Sequence, residues 1–268
     1  MADGDYERGR GREIGAIAAE LKRLAAARTQ VFVLNGWAAS PQAWNLCRFR
    51  RTRLFSYVEQ LDGLPEKALA ATERAVLVGW SMGGCSALRL AARFPEKIAG
   101  LVLVAATPRM MEEKETGWRG MSLRRLEALR YGLMMTRGEG FFGVPEGKPN
   151  PYLADEPANL ERGLKYLLET DVRAELAEAW CLVPGATHKG SRESTAPNTR
   201  HQALGTKIFV FQSEHDGIVR PENAAWLKTI FPQASVTMVP GTEHALPIFI
   251  PEMIDDAVDA CLAVAQKG

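Results

Sequence analysis

Residues 75–84 of the chain read AVLVGWSMGG, in which an apolar run leads into a glycine-rich turn. The run Ala75–Trp80 is short, apolar and rich in β-branched residues, which predicts a buried strand. A helical pattern of apolar residues begins after Ser81 and stops at Phe94-Pro95. Gly79–Gly83 therefore has the spacing G-x-S-x-G at a turn between a strand and a helix. Such a turn lifts the serine oxygen clear of the sheet and places it near the positive end of the helix.

Further strands are predicted on both sides of this turn. Residues 30–34 (QVFVL) form an apolar run that ends at Asn35-Gly36, which is a turn signal. Leu54–Val58 is also interpreted as a strand. Three more runs have the same character: Ile98–Ala105, Lys207–Gln212 and Ser235–Val239. Because strands alternate with helical patterns, we expect an α/β fold with a mostly parallel sheet and helices on both faces.

The alternation is interrupted in the middle of the chain, where no run resembles a strand. Helical spacing over Ser122–Met134 and Pro157–Glu169 is followed by a polar stretch broken by Gly and Pro, residues 184–206. This pattern predicts helices and a loop inserted over the core. The expected organisation is a tail and helix (1–29), a core (30–106 and 207–268) and a helical cap with a long loop (107–206).

The bulk composition excludes several function classes. The 268 residues are 46% hydrophobic with a formal net charge of +1, which argues against nucleic acid or an anionic membrane as partner. No apolar run approaches the roughly 20 residues that span a bilayer, and residues 1–13 lack a signal-peptide stretch, so a cytoplasmic location is expected. We expect no metal and no organic cofactor. The cysteines form no C-x-x-C pair and are expected to be free thiols: Cys47, Cys85, Cys181 and Cys261.

A serine hydroxyl needs a base, and four histidines are candidates. His244 lies between the last strand and the last helix, so its loop opens at the carboxyl edge of the sheet, where Ser81 lies. Asp216 follows the preceding strand at the same edge, and Ser81, Asp216, His244 is the chain order of nucleophile, acid and base for this motif. Glu214 is an alternative acid. The other histidines are interpreted as exposed in the polar stretch (His188, His201) or turned away from Asp216 (His215).

Two backbone N–H groups should stabilise the oxyanion that forms when a serine attacks a carbonyl group. One is expected from Met82, the residue after the nucleophile, and the other from Trp37, in the turn after the first strand. Gly36 in that turn permits a close approach of the backbone. Trp37 and Trp80 either wall an acyl pocket or serve as ordinary core aromatics, and both interpretations stay open. These residues together predict a serine hydrolase.

With these residues in place, the chain resembles the α/β-hydrolase superfamily over roughly residues 30–266. Within it, the chain is similar to the pimeloyl-acyl carrier protein methyl ester esterases of biotin synthesis. Four stretches carry the likeness: the turn Asn35-Gly36-Trp37 (His-Gly-Trp in the family), the elbow Gly79–Gly84 (Gly-Trp-Ser-Leu-Gly-Gly), the cap segment Gly163–Arg173, and more weakly Gly117-Trp118. The resemblance implies an α/β-hydrolase fold with an inserted helical cap.

The resemblance also implies a substrate and a partner. Members of this family hydrolyse a methyl ester at the end of a C7 acyl chain, which hangs from the phosphopantetheine arm of an acidic acyl carrier protein. Basic residues on the cap hold the carrier. Five arginines either serve that role here or form a solvated helix face: Arg119, Arg124, Arg125, Arg130 and Arg137. The first three are also expected to bind substrate. The alternatives are a general small-ester carboxylesterase, an acyl thioesterase and a non-catalytic ligand receptor on the same fold.

Three features depart from the family pattern. Asn35 replaces the usual His, so the hydrogen bonds that brace this turn are expected to differ. The segment Glu13–Arg28 has helical spacing where the family has strands. Residues 177–206 are interpreted as an insertion between cap and core.

Overall fold

The structure of the protein is a computed structural model. It describes residues 29–49, 52–136, 139, 141–145, 147–153, 157–180, 205–241 and 243–265. Several predictions concern residues outside these ranges: the helix 13–28, most of the polar stretch 184–206, Cys181, Arg137, His188 and His201.

Within the described ranges, six parallel strands form the sheet, in the order β2-β1-β3-β4-β5-β6. This parallel pairing confirms the predicted α/β class. Five of the six predicted runs match observed strands to within one residue at each end. The strands are β1 (Thr29–Leu34), β2 (Thr52–Phe55), β3 (Arg74–Trp80), β4 (Ile98–Val104), β5 (Lys207–Ser213) and β6 (Ser235–Val239).

The sixth prediction, a strand over Leu54–Val58, is wrong in its second half. β2 ends at Phe55, and Ser56 begins a helix, α1 (Tyr57–Leu61). The hydroxyl of Ser56 accepts from the N–H of Glu59 at 3.2 Å, and the Glu59 carboxylate accepts from the N–H of Ser56 at 2.8 Å. This reciprocal capping box satisfies first-turn donors, and it therefore favours a helix over an extended strand.

Helices cover both faces of the sheet, as predicted. Alternate strand residues point to opposite faces, so Ala75 and Leu77 pack with three helices on one face, whereas Val76 and Val78 pack with two helices on the other. The first three helices are Met82–Arg93, Arg173–Trp180 and Glu222–Ile230, and the other two are Leu246–Phe249 and Pro251–Ala265. None of the helices in the described ranges is long and apolar enough to cross a bilayer. The helices after α1 are α2 (Leu64–Ala70), α3 (Met82–Arg93), α4 (Leu123–Thr136), α5 (Pro157–Glu169), α6 (Arg173–Trp180), α7 (Glu222–Ile230), α8 (Leu246–Phe249) and α9 (Pro251–Ala265), with 3₁₀ turns at Pro41–Trp44, Pro95–Lys97 and Phe141–Gly143.

The helices between β4 and β5 contact the core in two places. Leu126 of α4 and Leu164 and Leu167 of α5 share an apolar cluster with Met82, the first residue of α3. Helix α6 instead packs along α3, where the indole N–H of Trp180 donates to the carbonyl of a buried alanine at 2.9 Å. Helices α4 and α5 are therefore fastened at the carboxyl edge of the sheet, beside the start of α3.

The turn between β3 and α3 is packed too tightly for side chains at its glycines. A Cβ on Gly79 would lie 2.5 Å from the carbonyl oxygen of Gly83, and a Cβ on Gly83 would overlap the carbonyl oxygen of Leu34. Because the obstacle is backbone rather than a flexible side chain, it cannot move aside without shifting the sheet. Glycine is thus required at both positions, because neighbouring backbone carbonyl groups leave no room for a Cβ atom.

Gly83→Ala is expected to destabilise the fold by about 3 kcal/mol, because the added Cβ forces a backbone shift. Gly132→Ala is the matched control, since a Cβ at that position in α4 meets no atom within 4 Å. The control is expected to gain about 0.5–1 kcal/mol through helix propensity. Chemical denaturation measures the free energy of unfolding of each variant, and equal stability of the two would contradict tight packing at Gly83.

Candidate active site

Ser81 adopts a backbone conformation that L-residues rarely occupy, with φ 56° and ψ −119°. Its N–H donates to the carbonyl of Val104 in β4 at 3.0 Å, and α3 begins at the next residue. Conformations of this kind cost about 1–3 kcal/mol and persist only where the surrounding structure enforces them. The strain is stored at the residue that the sequence singled out as nucleophile.

His244 lies in the loop between β6 and α8, and its ring faces Ser81. The Nε2 atom is 2.8 Å from the Oγ of Ser81. The side chain is 9% exposed. The backbone carbonyl of His244 accepts a hydrogen bond from the indole N–H of Trp80 at 2.9 Å. One ring nitrogen of the predicted base is thus in hydrogen-bond contact with the serine hydroxyl.

Asp216 follows β5 and extends this chain of hydrogen bonds. Its Oδ2 is 2.8 Å from the Nδ1 of His244, and its Oδ1 accepts from the backbone N–H groups of Ile218 and Val219 at 2.7 and 3.1 Å. The side-chain amide of Gln212 donates to Oδ2 at 3.2 Å. A carboxylate that is 1% exposed needs such donors, because an unpaired charge away from water is costly. The carboxylate is therefore a fixed acceptor beside the imidazole.

The alternative acid, Glu214, lies on the surface. Its backbone N–H donates to the carbonyl of Val239, and that of His215 donates to Gly241, so both residues continue the pairing along β6 with exposed side chains. The turn that follows brings Asp216, two residues later, to the imidazole.

Gln212 is a site residue that the sequence reasoning missed. Its side chain is buried at the end of β5, where the amide group donates to Asp216 and to the carbonyl of Val219 at 3.1 Å. The bond to Val219 closes the loop that carries the acid. The one signal in the sequence is a polar residue at the carboxyl end of an otherwise apolar strand.

Asn35 braces the turn after β1. Its fully buried side chain accepts from the N–H of Gly36 at 3.1 Å and from the indole N–H of Trp44 at 3.0 Å through Oδ1. Its Nδ2 donates to the carbonyl of Ala39 at 2.8 Å. The amide thus uses both its donor and its acceptor to hold the turn, in the place where the family carries His.

The two residues predicted to supply oxyanion donors lie at the same end of the sheet. Met82 is the first residue of α3, and N–H groups in the first turn of a helix have no acceptor inside that helix. Trp37 is anchored to α5, since its indole N–H donates to the carbonyl of Leu160 at 3.2 Å. Gly36, Trp37 and Ser81 line one pocket, so the turn and the elbow face the same space.

This pocket has mostly apolar walls and reaches Ser81 and His244. Trp37 and Trp80 line it, so both tryptophans contact the space beside the serine. The pocket suits a hydrocarbon chain, which carries no polar atoms that need partners. Residues between β4 and β5 form most of the remaining wall, and the sequence reasoning did not identify them: Leu126, Leu129, Leu133, Phe141, Phe142 and Leu167.

The arginines predicted to bind substrate lie elsewhere. Arg119, Arg124 and Arg125 are exposed, and the residues that line the pocket do not include them. The guanidinium group of Arg125 lies over Gly217, 3.0 Å from where a Cβ on that residue would be. Arg130 forms an ion pair with a glutamate of α5 at 2.6 Å. The side chains of Arg119, Arg124 and Arg125 thus lie at the surface, outside this pocket.

Cys85 in α3 does not compete with Ser81 as a nucleophile. Burial raises the pKa of its thiol to about 12, and burial does the same for Cys261. Because the thiolate is the reactive form, these groups are inert near neutral pH. Cys47, Cys85 and Cys261 are free thiols, as predicted.

The parallel sheet between helical layers, with a serine on a strained turn at its carboxyl edge, defines a class of hydrolases. A sequence profile described as the alpha/beta hydrolase family matches residues 15–260. The chain belongs to this family, and it is an enzyme of the carboxylesterase type.

Curated relatives share one name, pimeloyl-[acyl-carrier protein] methyl ester esterase. The chain is 28% identical to the one from Nitrosospira multiformis, over 63% of this chain and 61% of that relative. It is 26% identical to the one from Nitrosomonas europaea, with coverages of 85% and 93%. It is 30% identical to the one from Shewanella woodyi, with coverages of 69% and 86%.

Solved structures share the fold. A hydrolase from Oleispira antarctica has a TM-score of 0.62 at 13% identity, over 88% of this chain and 91% of that chain. An esterase from Exiguobacterium antarcticum has a TM-score of 0.62 at 15% identity, over 88% of this chain and 92% of that chain. Identities this low show a common architecture and nothing finer.

Proposed function

We propose that this protein hydrolyses the methyl ester of a pimeloyl group on an acyl carrier protein, with Ser81, His244 and Asp216 as its catalytic triad. The observation that carries the proposal is the pair of 2.8 Å contacts from Ser81 Oγ to His244 and from His244 to Asp216. The substrate is inferred from the name that the curated relatives share.

In the first half-reaction, His244 takes the hydroxyl proton of Ser81 as its Oγ attacks the ester carbonyl carbon. The N–H groups of Met82 and Trp37 stabilise the tetrahedral oxyanion, and each contributes about 3 kcal/mol. Asp216 keeps the proton on Nδ1 of His244 and stabilises the imidazolium ion. Methanol then leaves with the proton from Nε2, and the acyl group stays on Ser81.

In the second half-reaction, water takes the place of methanol. His244 removes a proton from the water as its oxygen attacks the acyl-enzyme carbonyl carbon. The second tetrahedral intermediate collapses, Ser81 regains its proton from His244, and the product leaves with a free terminal carboxylate. Histidine supplies every proton transfer, so neither half-reaction requires a metal or an organic cofactor.

The pocket and the outer surface suit the two parts of this substrate. The apolar wall accommodates the methylene chain, because burying such a chain is favourable and leaves no polar atom unpaired. The carrier stays outside, where Arg119, Arg124 and Arg125 are exposed and form no ion pair with any described residue. Exposed cationic groups of this kind attract an acidic partner and orient its approach.

Mass spectrometry of pimeloyl-acyl carrier protein methyl ester incubated with the protein tests this proposal. We expect the mass of the carrier-bound substrate to fall by one methylene, and we expect no change with Ser81→Ala. Hydrolysis of short p-nitrophenyl esters without any change in the carrier substrate would leave an esterase and refute the biotin assignment. Turnover of neither substrate would contradict the proposed triad.

The carrier contact has its own test. The double change Arg124→Glu and Arg125→Glu is expected to raise KM for the carrier-bound ester about tenfold, because two attractive charges become repulsive. Hydrolysis of p-nitrophenyl butyrate should stay within about twofold, since neither side chain lines the pocket. Lys207→Glu is the matched control, because this exposed lysine begins β5 at the opposite edge of the sheet. Equal effects of both changes on KM would refute a local carrier contact.

A further inference from the structure

Trp80 holds the backbone of the proposed base as well as lining the pocket. Its side chain is 1% exposed, and its indole N–H donates to the carbonyl of His244 at 2.9 Å. The two residues are 164 positions apart in the chain, so the bond ties the His244 loop to the elbow directly. Trp80 is also covalently adjacent to Ser81, whose Oγ is 2.8 Å from the other end of the same histidine.

The indole ring is fixed on several sides. Its centroid lies 6.3 Å from that of Trp44 and 5.7 Å from that of Phe142, both in edge-on arrangements. A Cβ on Gly36 would lie 3.2 Å from the ring, which therefore packs directly against the turn that carries the proposed oxyanion donor. Trp44 is itself bonded to Asn35 in that turn. A ring held in this way gives the N–H group a defined direction.

We infer that Trp80 is a positioning residue, which fixes His244 relative to Ser81 by a hydrogen bond to its backbone. The inference rests on the proposed triad. Ser81 contacts the imidazole and Trp80 contacts the carbonyl of the same residue, so the dipeptide Trp80-Ser81 holds the base at two points. Asp216 and Ser81 contact the two ring nitrogens of His244, whereas the bond from Trp80 holds the backbone of the loop that carries the ring. Misplacing a catalytic group by 1 Å costs up to about 100-fold in rate.

Loss of the indole N–H group affects different kinetic constants, depending on whether Trp80 only lines the pocket or also positions His244. Trp80→Phe keeps an aromatic ring and removes the donor. A residue that only walls the acyl pocket affects binding, and its effect depends on the length of the acyl chain. A residue that positions the base affects the chemical step, and its effect is the same for every ester that reaches Ser81.

Trp180→Phe is the matched control. Trp180 is also buried, its indole N–H also donates to a backbone carbonyl at 2.9 Å, and its ring also meets a phenylalanine edge-on, but it lies between α6 and α3, outside the residues that line the pocket. Both changes remove the same kind of bond, so they are expected to destabilise the fold to a similar degree. Only the change at Trp80 should alter catalysis in the folded fraction.

The experiment measures kcat and KM for p-nitrophenyl acetate and p-nitrophenyl octanoate, and the rate at which a fluorophosphonate labels Ser81. Trp80→Phe is expected to lower kcat for both esters and the labelling rate by the same factor, about tenfold to 100-fold, with KM within about twofold. Trp180→Phe, normalised to the folded fraction, should leave all these values within about twofold.

Three results would overturn the inference: a change confined to KM, a loss confined to the octanoate ester, or equal losses in both variants. Failure of the proposed substrate is a separate result. If the wild-type protein hydrolyses p-nitrophenyl esters but leaves the pimeloyl ester intact, the biotin assignment fails, while the comparison of Trp80→Phe with Trp180→Phe still decides the inference.

Discussion

Replacement of Ser81 by Ala is expected to lower kcat for ester hydrolysis by about 10⁴-fold to 10⁶-fold. The reason is that the acyl-enzyme cannot form without Oγ, and the oxyanion donors alone leave only weak catalysis of attack by water. The fold should persist, because Ala occupies the same backbone conformation as Ser, and the bond from the N–H of residue 81 to the carbonyl of Val104 does not involve the side chain.

Ser86→Ala is the control for this measurement. Ser86 lies in α3, which begins directly after Ser81, is also buried, and contacts the hydroxyl of Tyr166 at 3.1 Å instead of a histidine. Its replacement should leave kcat for p-nitrophenyl butyrate within about threefold, in contrast to the loss at Ser81. Residual activity of Ser81→Ala above about one per cent of the wild-type value would contradict its role as nucleophile.

Asp216→Asn is expected to lower kcat by about 10⁴-fold. The carbonyl oxygen of the new amide can accept from the N–H groups of Ile218 and Val219, which now bond Oδ1. Its NH₂ group then faces Nδ1 of His244 and forces the tautomer that carries its proton on Nε2. A nitrogen that already carries a proton cannot accept the one on Ser81, so the first step fails.

Two control variants separate this effect from loss of a buried carboxylate. Asp255 is also buried, and its carboxylate accepts from the backbone N–H of Arg48 at 2.8 and 2.9 Å, remote from the pocket. Asp255→Asn and Glu214→Gln should both keep kcat within about threefold. Steady-state kinetics from pH 6 to 9 on all three variants measures the difference, and a large loss in Glu214→Gln with an active Asp216→Asn would reverse the assignment of the acid.

Five of the strands and their order along the chain could be predicted from the sequence. The period of apolar residues depends on neighbours only a few positions away, so Pro157–Glu169 and Ser235–Val239 have the predicted bounds in the structure. The edge at which Ser81, Asp216 and His244 lie also followed from sequence, because the carboxyl ends of parallel strands meet at one side of a sheet. At Leu54–Val58 the apolar pattern gave a wrong prediction, because the capping box of Ser56 and Glu59 outweighs β-propensity.

Only the folded chain shows which of these side chains are in contact. From the sequence, Glu214 and Asp216 are both candidates for the acid. In the structure, a turn held by Gln212 and by pairing with β6 places Asp216 against His244. From the sequence, Trp80 is either an ordinary core aromatic or a residue that lines the pocket. In the structure, its indole N–H also donates to the carbonyl of His244, 164 positions away. The pocket wall could not be predicted from the sequence for the same reason, since it joins residues between β4 and β5 to those of the elbow. Contacts between distant segments depend on packing geometry, and no local period in the sequence encodes that geometry.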